Sequence, residues 1–194
     1  FEMPEKSWTH ARALSRLRSK IETYIYDPNS ELLDKISKHY KFKSVPYEAD
    51  GLDRYNIISI ASPSGLHTEH LNAALDSKAE LIICEKPLST KLGNLEATMI
   101  KYKNSKSFVL VNYMRRFQPL YHQQKSYVRR LFQNSEIQSI RVEYCRGLLN
   151  NGGHALDFLR FLLNPKADLK VNYVVSFAYD AFEYDPTVDF HGAF

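Results

Sequence analysis

Residues 80–90 read ELIICEKPLST. An apolar run, Leu81–Cys84, ends at an acid, a lysine and a proline. A short continuous apolar run is typical of a parallel strand that is covered on both faces. The stretch therefore predicts a buried strand whose end carries two opposite charges. The strands and helices predicted before and after it indicate whether Glu85 and Lys86 form a surface ion pair or line a ligand site.

Strands and helices alternate around this run. NIISIA (56–61) and FVLVN (108–112) predict neighbouring strands, and ETYIY (22–26) predicts another. The spacing of apolar residues predicts helices at Trp8–Ser19, Ser30–Tyr40, His67–Ser77 and Leu92–Lys103. Such alternation indicates βαβ units. We therefore predict an α/β fold with a Rossmann-like, doubly wound parallel sheet, forming a dinucleotide-binding domain over residues 1–115.

The pattern changes after about residue 115. Helix, strand, helix and strand then follow without tight alternation, at Pro119–Phe132, Ile137–Tyr144, Gly153–Leu163 and Val171–Tyr179. This order predicts a second, α+β domain with an open sheet over residues 116–194, which would serve substrate binding and oligomerisation. Because so few strands make a sheet of low independent stability, we expect this domain to be incomplete.

The composition narrows the class of protein. A chain of 194 residues with 44% hydrophobic residues has the makeup of a globular protein with a substantial core. Its net charge is +4 and its basic residues form no long run, so we expect no nucleic-acid partner. No apolar run approaches the roughly 20 residues of a membrane span, and no signal peptide is visible. We expect a cytoplasmic protein without a membrane partner.

The two cysteines, Cys84 and Cys145, fit a reducing compartment. They lack the paired Cys or Cys/His spacing of a zinc site. We therefore expect no metal.

Polar or turn-forming residues follow four of the predicted strands, where open α/β sheets bind their ligands. These residues are Asp27, Ser62–Pro63, Glu85–Lys86 and Asn112–Tyr113. An acid in the position of Asp27 accepts hydrogen bonds from a ribose diol and repels a 2′-phosphate, which favours NAD over NADP. An ordinary Asp-Pro turn is the alternative for Asp27.

Each of the other strand-end residues also has a plain structural explanation. Ser62–Pro63 and His67 are typical of a loop that leads into a helix. An exposed pair between Glu85 and Lys86 would contribute less than about 1 kcal/mol. In a cofactor cleft, by contrast, Lys86 would donate a hydrogen bond to a substrate oxygen, and a nearby cationic nicotinamide would lower its pKa.

Residues 147–157, GLLNNGGHALD, supply a second group of polar side chains. His154 and Asp157 are three residues apart and share one face of a helix. Gly152 and Gly153 leave room for a ligand just before the helix begins. A histidine here is either structural or faces a cleft between two domains, where ligand sites are common.

In their order and spacing these motifs resemble the glucose–fructose oxidoreductase, inositol dehydrogenase and rhizopine catabolism (Gfo/Idh/MocA) family. The motifs are Ser62-Pro63-x-x-x-His67, Glu85-Lys86-Pro87, Tyr113-Met114-Arg115-Arg116-Phe117 and Gly152-x-His154-x-x-Asp157. The resemblance runs from about His10 to the C-terminus. Its most specific part is the Glu-Lys-Pro motif with its flanking residues.

The resemblance implies a dehydrogenase that uses NAD or NADP and acts on a sugar, a polyol or a sugar derivative. It also implies an N-terminal Rossmann domain, and a homo-oligomer formed through the second-domain sheet if that domain is complete. Lys86 would be the catalytic lysine that is hydrogen-bonded to the reacting oxygen, and His154 its acid/base partner. The Lys86–Pro87 peptide would be cis.

Carried over to this sequence, the resemblance implies two sets of binding residues. The cofactor set is Asp27, Ser62, Pro63, His67, Glu85, Lys86, Asn112 and Arg116. The substrate set is Lys86, Asn150, His154 and Asp157, and Asn150 also belongs to the catalytic group.

Two departures from the family pattern leave an alternative open. Glu2, Pro4 and Ser7 stand where the family has the glycines of its phosphate-binding loop, and none of them permits a close backbone approach. Asn150 stands where the family often has an aspartate, so more of the acid/base work would fall on Lys86 and His154. Either the chain lacks its first strand and loop, or the cofactor is held differently or not at all. In the last case the chain would be a non-catalytic ligand-binding or regulatory member of the fold.

Overall fold

The computed structural model describes residues 9–132, 137, 139–163 and 170–193, with the side chains of residues 49 and 50 left aside. The helices are α1 (His10–Ser15), α2 (Ser30–Tyr40), α3 (His67–Asp76), α4 (Leu92–Asn104), α5 (Pro119–Leu131) and α6 (Gly153–Leu162). The strands are β1 (Tyr24–Ile25), β2 (Lys43–Ser44), β3 (Ile57–Ile60), β4 (Leu81–Glu85), β5 (Phe108–Asn112), β6 (Lys170–Phe182) and β7 (Asp185–Ala193). The positions expected for the glycine loop, Glu2, Pro4 and Ser7, lie outside the described residues.

A parallel three-stranded sheet in the order β3-β4-β5 forms the centre of the first half of the chain. Ile60 pairs with Cys84, and Glu85 pairs with Asn112. The register therefore brings the carboxyl ends of all three strands to one edge. Strands β1 and β2 pair in parallel as a separate two-stranded sheet. This Rossmann-like arrangement of parallel strands and helices confirms the predicted fold class.

The buried core lies between this sheet and α3. Ile82 and Cys84 of β4 and Ala74 of α3 are fully buried, and Leu71 of α3 is 2% exposed. The buried residues of α3 recur at helical spacing along one stripe, which packs on the sheet. Strand β4 is thus the centre of the core, and Lys86 follows directly after its last residue.

Capping residues fix where the first helices begin. The Thr9 hydroxyl accepts from the Arg12 N–H, so α1 begins at His10, and it ends earlier than the sequence predicts. The Asn29 side chain accepts from the Leu32 N–H and begins α2, which ends at Lys41 in the left-handed conformation. The predicted bounds of α2 and β5 are confirmed, and those of β3, β4, α3, α4, α5 and α6 shift by a residue or so.

The second half contains α5, α6 and an antiparallel pair of long strands, β6 and β7. A turn of π-helix, Leu148–Gly152, leads into α6. The predicted strand at Ile137–Tyr144 is wrong: its described residues, 137 and 139–144, form no ladder. A groove of about 440 Å³ is lined by residues of this segment, of α6 and of β7, among them Val142, Leu156 and Phe190. Strand β7 was not predicted.

Among the residues that the structure describes, none of the helices is long and apolar enough to cross a bilayer.

Candidate active site

The Lys86 ammonium reaches across from the end of β4 to the second half of the chain. Its Nζ donates to the carbonyl oxygen of Asn150 at 2.9 Å and to Asn150 Oδ1 at 2.8 Å. The Lys86–Pro87 peptide is cis, as predicted. Burial lowers the pKa of Lys86, an effect that the charges of Glu85 and Asp185 oppose and that of Arg115 reinforces. The lysine is therefore a half-buried cation with two neutral oxygen acceptors.

His154 lies in the first turn of α6, four residues after Asn150. Its ring packs edge-on against Tyr113, with centroids 5.8 Å apart. Burial lowers the pKa of His154, and the positive charges of Lys86 and Arg115 lower it further. The ring is thus neutral near pH 7, and it lies close enough to Lys86 to feel its charge.

One ring nitrogen of His154 has no hydrogen-bond partner. Nδ1 is buried, and nothing in the described part of the chain donates to it or accepts from it. A buried polar atom without a partner is costly and is found mainly where a ligand or water completes the site.

Glu85 is the centre of a polar network at the edge of the sheet. Its Oε1 accepts from His10 Nε2 at 2.7 Å and from Asn112 Nδ2 at 2.6 Å. The other ring nitrogen of His10 lies 2.6 Å from the hydroxyl of Ser59. Burial raises the pKa of Glu85, but the hydrogen bonds from His10 and Asn112 outweigh it and hold that pKa below its usual value. Glu85 is therefore an anion that links α1, β3 and β5.

His67 joins the two loops that flank the sheet edge. It is 2% exposed, and its Nδ1 and Nε2 each lie 2.7 Å from a carbonyl oxygen, those of Pro87 and Ser62. A neutral ring donates to one of these carbonyls, and a protonated ring donates to both. His67 thus holds the Ser62–Pro63 loop against the Lys86–Pro87 turn, and its ring faces protein on both sides. The Ser62 hydroxyl lies 2.9 Å from Nδ1 of His70.

Asp27 occupies the turn that follows β1. Its Oδ1 accepts from the N–H of Asn29 at 2.8 Å, which is the turn hydrogen bond expected of an Asp-Pro-Asn sequence. Within the described residues no donor reaches Oδ2 of Asp27. The turn interpretation and the ribose interpretation are therefore compatible, because each uses a different oxygen.

Arg116 and Asp157 bind each other. Arg116 Nε lies 2.8 Å from both carboxylate oxygens of Asp157, and Nη2 lies 2.5 Å from Oδ1. The Asp157 side chain is 11% exposed. This bidentate pair ties the Met114–Phe117 turn to α6, so the structure joins a residue expected at the cofactor to one expected at the substrate.

A cavity of about 100 Å³ opens beside Lys86 between the two halves. Ser64, Pro87 and Thr90 line it from the first half, and Asn150 and Asp185 from the second. Phe182 and Tyr184, at the tip of the β6–β7 hairpin, add aromatic walls, with centroids 5.6 Å apart. His154 is not among the residues that line it.

Three residues at the site escaped the sequence interpretation. Ser59 is the one polar residue inside the apolar run of β3, a signal that could have drawn attention to it. His10 and Asp185 carry no local signal, because their partners lie 75 and about 35 residues away along the chain.

The side chains present fit a nicotinamide dinucleotide. The Ser62–Pro63 loop, Glu85–Lys86 and Asn112 follow or end the adjacent strands β3, β4 and β5, and Asp27 follows β1 of the separate parallel pair; open α/β sheets bind nucleotides at such strand ends. The unpartnered Nδ1 of His154 is the kind of atom that a bound substrate would satisfy. Within the described ranges, no cluster of three His, Cys, Asp or Glu side chains could hold a metal ion.

Comparison with known proteins gives a match to one family model. Residues 7–113, more than half of the chain, match the oxidoreductase family with an NAD-binding Rossmann fold, Gfo/Idh/MocA. A curated relative is glucose-6-phosphate 3-dehydrogenase of Bacillus subtilis (strain 168), which is 32% identical over 92 residues, 47% of this chain and 25% of the relative.

Solved structures share the fold at low identity. Apo scyllo-inositol dehydrogenase from Lactobacillus casei superimposes with a TM-score of 0.66 at 21% identity, covering 79% of this chain and 50% of that one. Myo-inositol dehydrogenase from Lactobacillus casei, in complex with NAD(H) and myo-inositol, gives a TM-score of 0.66 at 18% identity, covering 79% and 51%. The chain thus spans about half the length of these structures and a quarter of the curated relative.

Proposed function

The chain belongs to the Gfo/Idh/MocA oxidoreductase family, and on that premise we propose that it transfers a hydride between a nicotinamide cofactor and a sugar, polyol or sugar-derivative substrate. The observation that carries the proposal is the contact between Lys86 and Asn150, beside His154. Oxidation of an alcohol requires a hydrogen-bond donor to the reacting oxygen and a base for its proton, and the Lys86 ammonium and the nearby His154 imidazole are the groups we assign to these tasks.

The two side chains have distinct tasks in this reaction. A bound oxidised nicotinamide, held by Asp27, the Ser62–Pro63 loop and Asn112, would supply the acceptor for the hydride that leaves the carbon bearing the reacting hydroxyl. Lys86 donates its third N–H to the reacting oxygen and orients it, since two of its three donors are bound by Asn150. His154 is neutral near pH 7 because burial lowers its pKa, so it takes the hydroxyl proton. The carbon loses two electrons with the hydride, and its C–O bond becomes a carbonyl.

The finer assignments belong to the same proposal. Asp27 favours NAD over NADP, because its free Oδ2 would accept from a ribose hydroxyl and repel a 2′-phosphate. Residues 1–115 serve the cofactor, and residues 116–194 serve the substrate. The sheet of β6 and β7 would join copies of the chain, since the side chains of β6 from Lys170 to Ala181 are exposed.

A second function within the same fold is a ligand-binding or regulatory protein without catalysis. Asn150 favours it, because an amide does not ionise and both of its oxygens already accept from Lys86. Cofactor binding and hydride transfer separate the two functions, and both are measured on the full-length natural protein.

The binding test follows thermal unfolding with NAD, NADH, NADP and NADPH at millimolar concentration. A cofactor that binds the folded state raises Tm by mass action, and we expect the larger shift with NAD and NADH. Absence of a shift with all four would reject the enzyme. A shift without turnover of any polyol or sugar phosphate would favour the non-catalytic protein.

Lys86→Met tests the chemical step. We expect kcat to fall by about 10²–10⁴, since the variant removes the donor to the reacting oxygen, with little change in KM for the cofactor. Absorbance at the reduced nicotinamide band reports turnover, with myo-inositol, scyllo-inositol and glucose 6-phosphate as first substrates. Lys78→Met is the matched control, because the Lys78 side chain is 82% exposed. Equal losses of kcat in both variants would remove Lys86 from its assigned role.

A further inference from the structure

Asp185, the first residue of β7, is an anion in an unusual place. It is 1% exposed, and no cation in the described part of the chain forms an ion pair with it. A buried carboxylate without a counter-ion is costly unless hydrogen bonds compensate for lost hydration. The hydrogen bonds that the Asp185 carboxylate accepts therefore indicate what this buried acid does.

Both carboxylate oxygens of Asp185 accept backbone hydrogen bonds from the turn that carries Asn150. Oδ1 accepts from the Leu149 N–H and Oδ2 from the Asn150 N–H, each at 2.8 Å. These N–H groups belong to the second and third residues of the helical turn Leu148–Gly152, and the N–H groups that begin a helical turn have no partner inside it. Asp185 thus caps the turn from about 35 residues away in the chain.

Gly147 makes room for this contact. It precedes the turn with φ at 87°, and a Cβ there would lie 2.1 Å from Oδ2 of Asp185. A residue with a side chain would collide with the carboxylate and would also resist the left-handed backbone.

The same hairpin binds the two residues before the turn. The Gly147 N–H donates to the Thr187 hydroxyl at 3.0 Å, and the Arg146 N–H donates to Asp180 Oδ2 at 2.7 Å. The Thr187 hydroxyl in turn donates to Asp180 Oδ1 at 2.7 Å. Four backbone N–H groups between residues 146 and 150 are therefore bound by side chains of β6 and β7.

We propose that Asp185 is a positioning residue, which fixes the two oxygens of Asn150 that receive the Lys86 ammonium and thereby sets the place and reactivity of that ammonium. For its effect on turnover this rests on the proposed function; its effect on Lys86 itself does not. The charged groups that act on Lys86 are Glu85, Asp185 and Arg115, with His154 nearby. Among these, Asp185 both holds the acceptor of Lys86 and supplies negative charge.

Asp185→Asn is the main variant, because it keeps the shape and removes the charge. Its amide oxygen can accept from one N–H, but its NH₂ group then faces the other. Asp189→Asn is the matched control, since it removes the same charge from an exposed position on the same strand. Circular dichroism and Tm establish that each variant is folded before Lys86 is measured.

The readout is the rate at which an amine-selective acylating reagent labels Lys86, followed by peptide mass spectrometry between pH 7 and 10. We expect Asp185→Asn to raise that rate about threefold to tenfold at a given pH, because less negative charge favours the neutral amine and the Asn150 oxygens are released. The labelling profile of Asp189→Asn should match that of the unmodified protein. Superimposable Lys86 profiles in all three proteins would overturn the proposal.

A second variant tests the proposal if Asp185→Asn does not fold. Thr187→Val loosens the same turn without removing the buried charge, and we expect it to raise the labelling rate of Lys86 about twofold. An unchanged rate in this variant would then overturn the proposal.

Turnover separates the proposal from the proposed function. If the natural protein shows no hydride transfer but Asp185→Asn shifts the labelling of Lys86, the positioning role stands and the enzymatic function falls. If hydride transfer occurs, Asp185→Asn should lower kcat and move the alkaline limb of its pH profile to lower pH, with KM for the cofactor unchanged. Turnover with an unchanged pH profile and unchanged labelling would overturn the positioning role alone.

Discussion

The two sides of the cleft are held by different forces. Lys86 extends from a strand whose residues Ile82 and Cys84 are fully buried, so its backbone is fixed by packing. Asn150, which receives it, lies on a turn fixed by hydrogen bonds from the β6–β7 hairpin. The residues of β6 from Lys170 to Ala181 are exposed. The side of the cleft that carries Lys86, here called the packed wall, thus depends on a hydrophobic core. The side that carries Asn150, here called the polar wall, depends on the hydrogen bonds between its turn and the hairpin.

This difference predicts which substitutions disturb each side of the cleft. A cavity in the core lowers the stability of the whole parallel sheet and with it the position of Lys86. Loss of an exposed apolar side chain on the hairpin changes little, because the turn is held by hydrogen bonds to Asp180, Asp185 and Thr187 near the hairpin tip. The walls should therefore respond to different substitutions.

The largest expected effect comes from a core truncation. Ile82→Ala should lower the free energy of unfolding by about 2–5 kcal/mol, since a fully buried isoleucine leaves a cavity. Val174→Ala, on β6, is the matched truncation of a β-branched side chain that is 54% exposed in one copy of the chain, and below the concentration at which copies associate its cost should stay within about 1 kcal/mol. Urea unfolding followed by circular dichroism measures both.

Similar losses in the two variants would contradict the comparison. They would mean that β6 is covered in solution, by a further copy of the chain or by other protein surface.

The packed wall could be predicted from the sequence because its information is local. The apolar runs of β3, β4 and β5 each mark a strand, and the rule that parallel strands end at one edge gathers Ser62, Glu85, Lys86 and Asn112. Even there, the sequence predicted contact of Glu85 and His67 with a cofactor, whereas the structure shows their side chains bound to other parts of the protein.

The polar wall could not be predicted, because it depends on separation in the chain. Nothing near Asp185 indicates that its carboxylate caps a turn about 35 residues earlier. The strand predicted at Ile137–Tyr144 was wrong for the same reason. An alternating pattern of side chains does not show whether a partner strand lies beside the segment. Strand β7 was missed because its residues mix polar, aromatic and proline positions.

A smaller effect is expected at His67, which links the Ser62–Pro63 loop to the Lys86–Pro87 turn in the packed wall. His67→Ala should cost about 1–3 kcal/mol, because it removes the buried ring that donates to a carbonyl of the Ser62 or Pro87 backbone and leaves a cavity between the two loops. Tm and urea unfolding measure the loss. The NAD-induced rise in Tm should also shrink, since the Ser62–Pro63 loop loses its link to the Lys86–Pro87 turn.

His39→Ala is the matched control for this prediction. His39 is exposed on α2, and its loss should change the unfolding free energy by no more than about 0.5 kcal/mol. Equal costs at the two positions would show that the two hydrogen bonds of His67 contribute nothing to the packed wall.

The smallest effect concerns the contact between the walls. Asn150→Asp places a carboxylate where Lys86 now meets a neutral amide oxygen at 2.8 Å. A negative charge favours the ammonium, so the pKa of Lys86, which burial lowers, should rise. The pH at which labelling of Lys86 sets in and the alkaline limb of kcat should both move to higher pH.

Asn151→Asp separates contact from charge alone. Asn151 is the next residue of the same turn, and in the described part of the chain its side chain makes no hydrogen bond to Lys86. Its variant should therefore move the limb by much less. Equal shifts from Asn150→Asp and Asn151→Asp would mean that Lys86 senses the general field of the turn, and the polar wall would then act on the lysine through its net charge rather than through the placement of one residue.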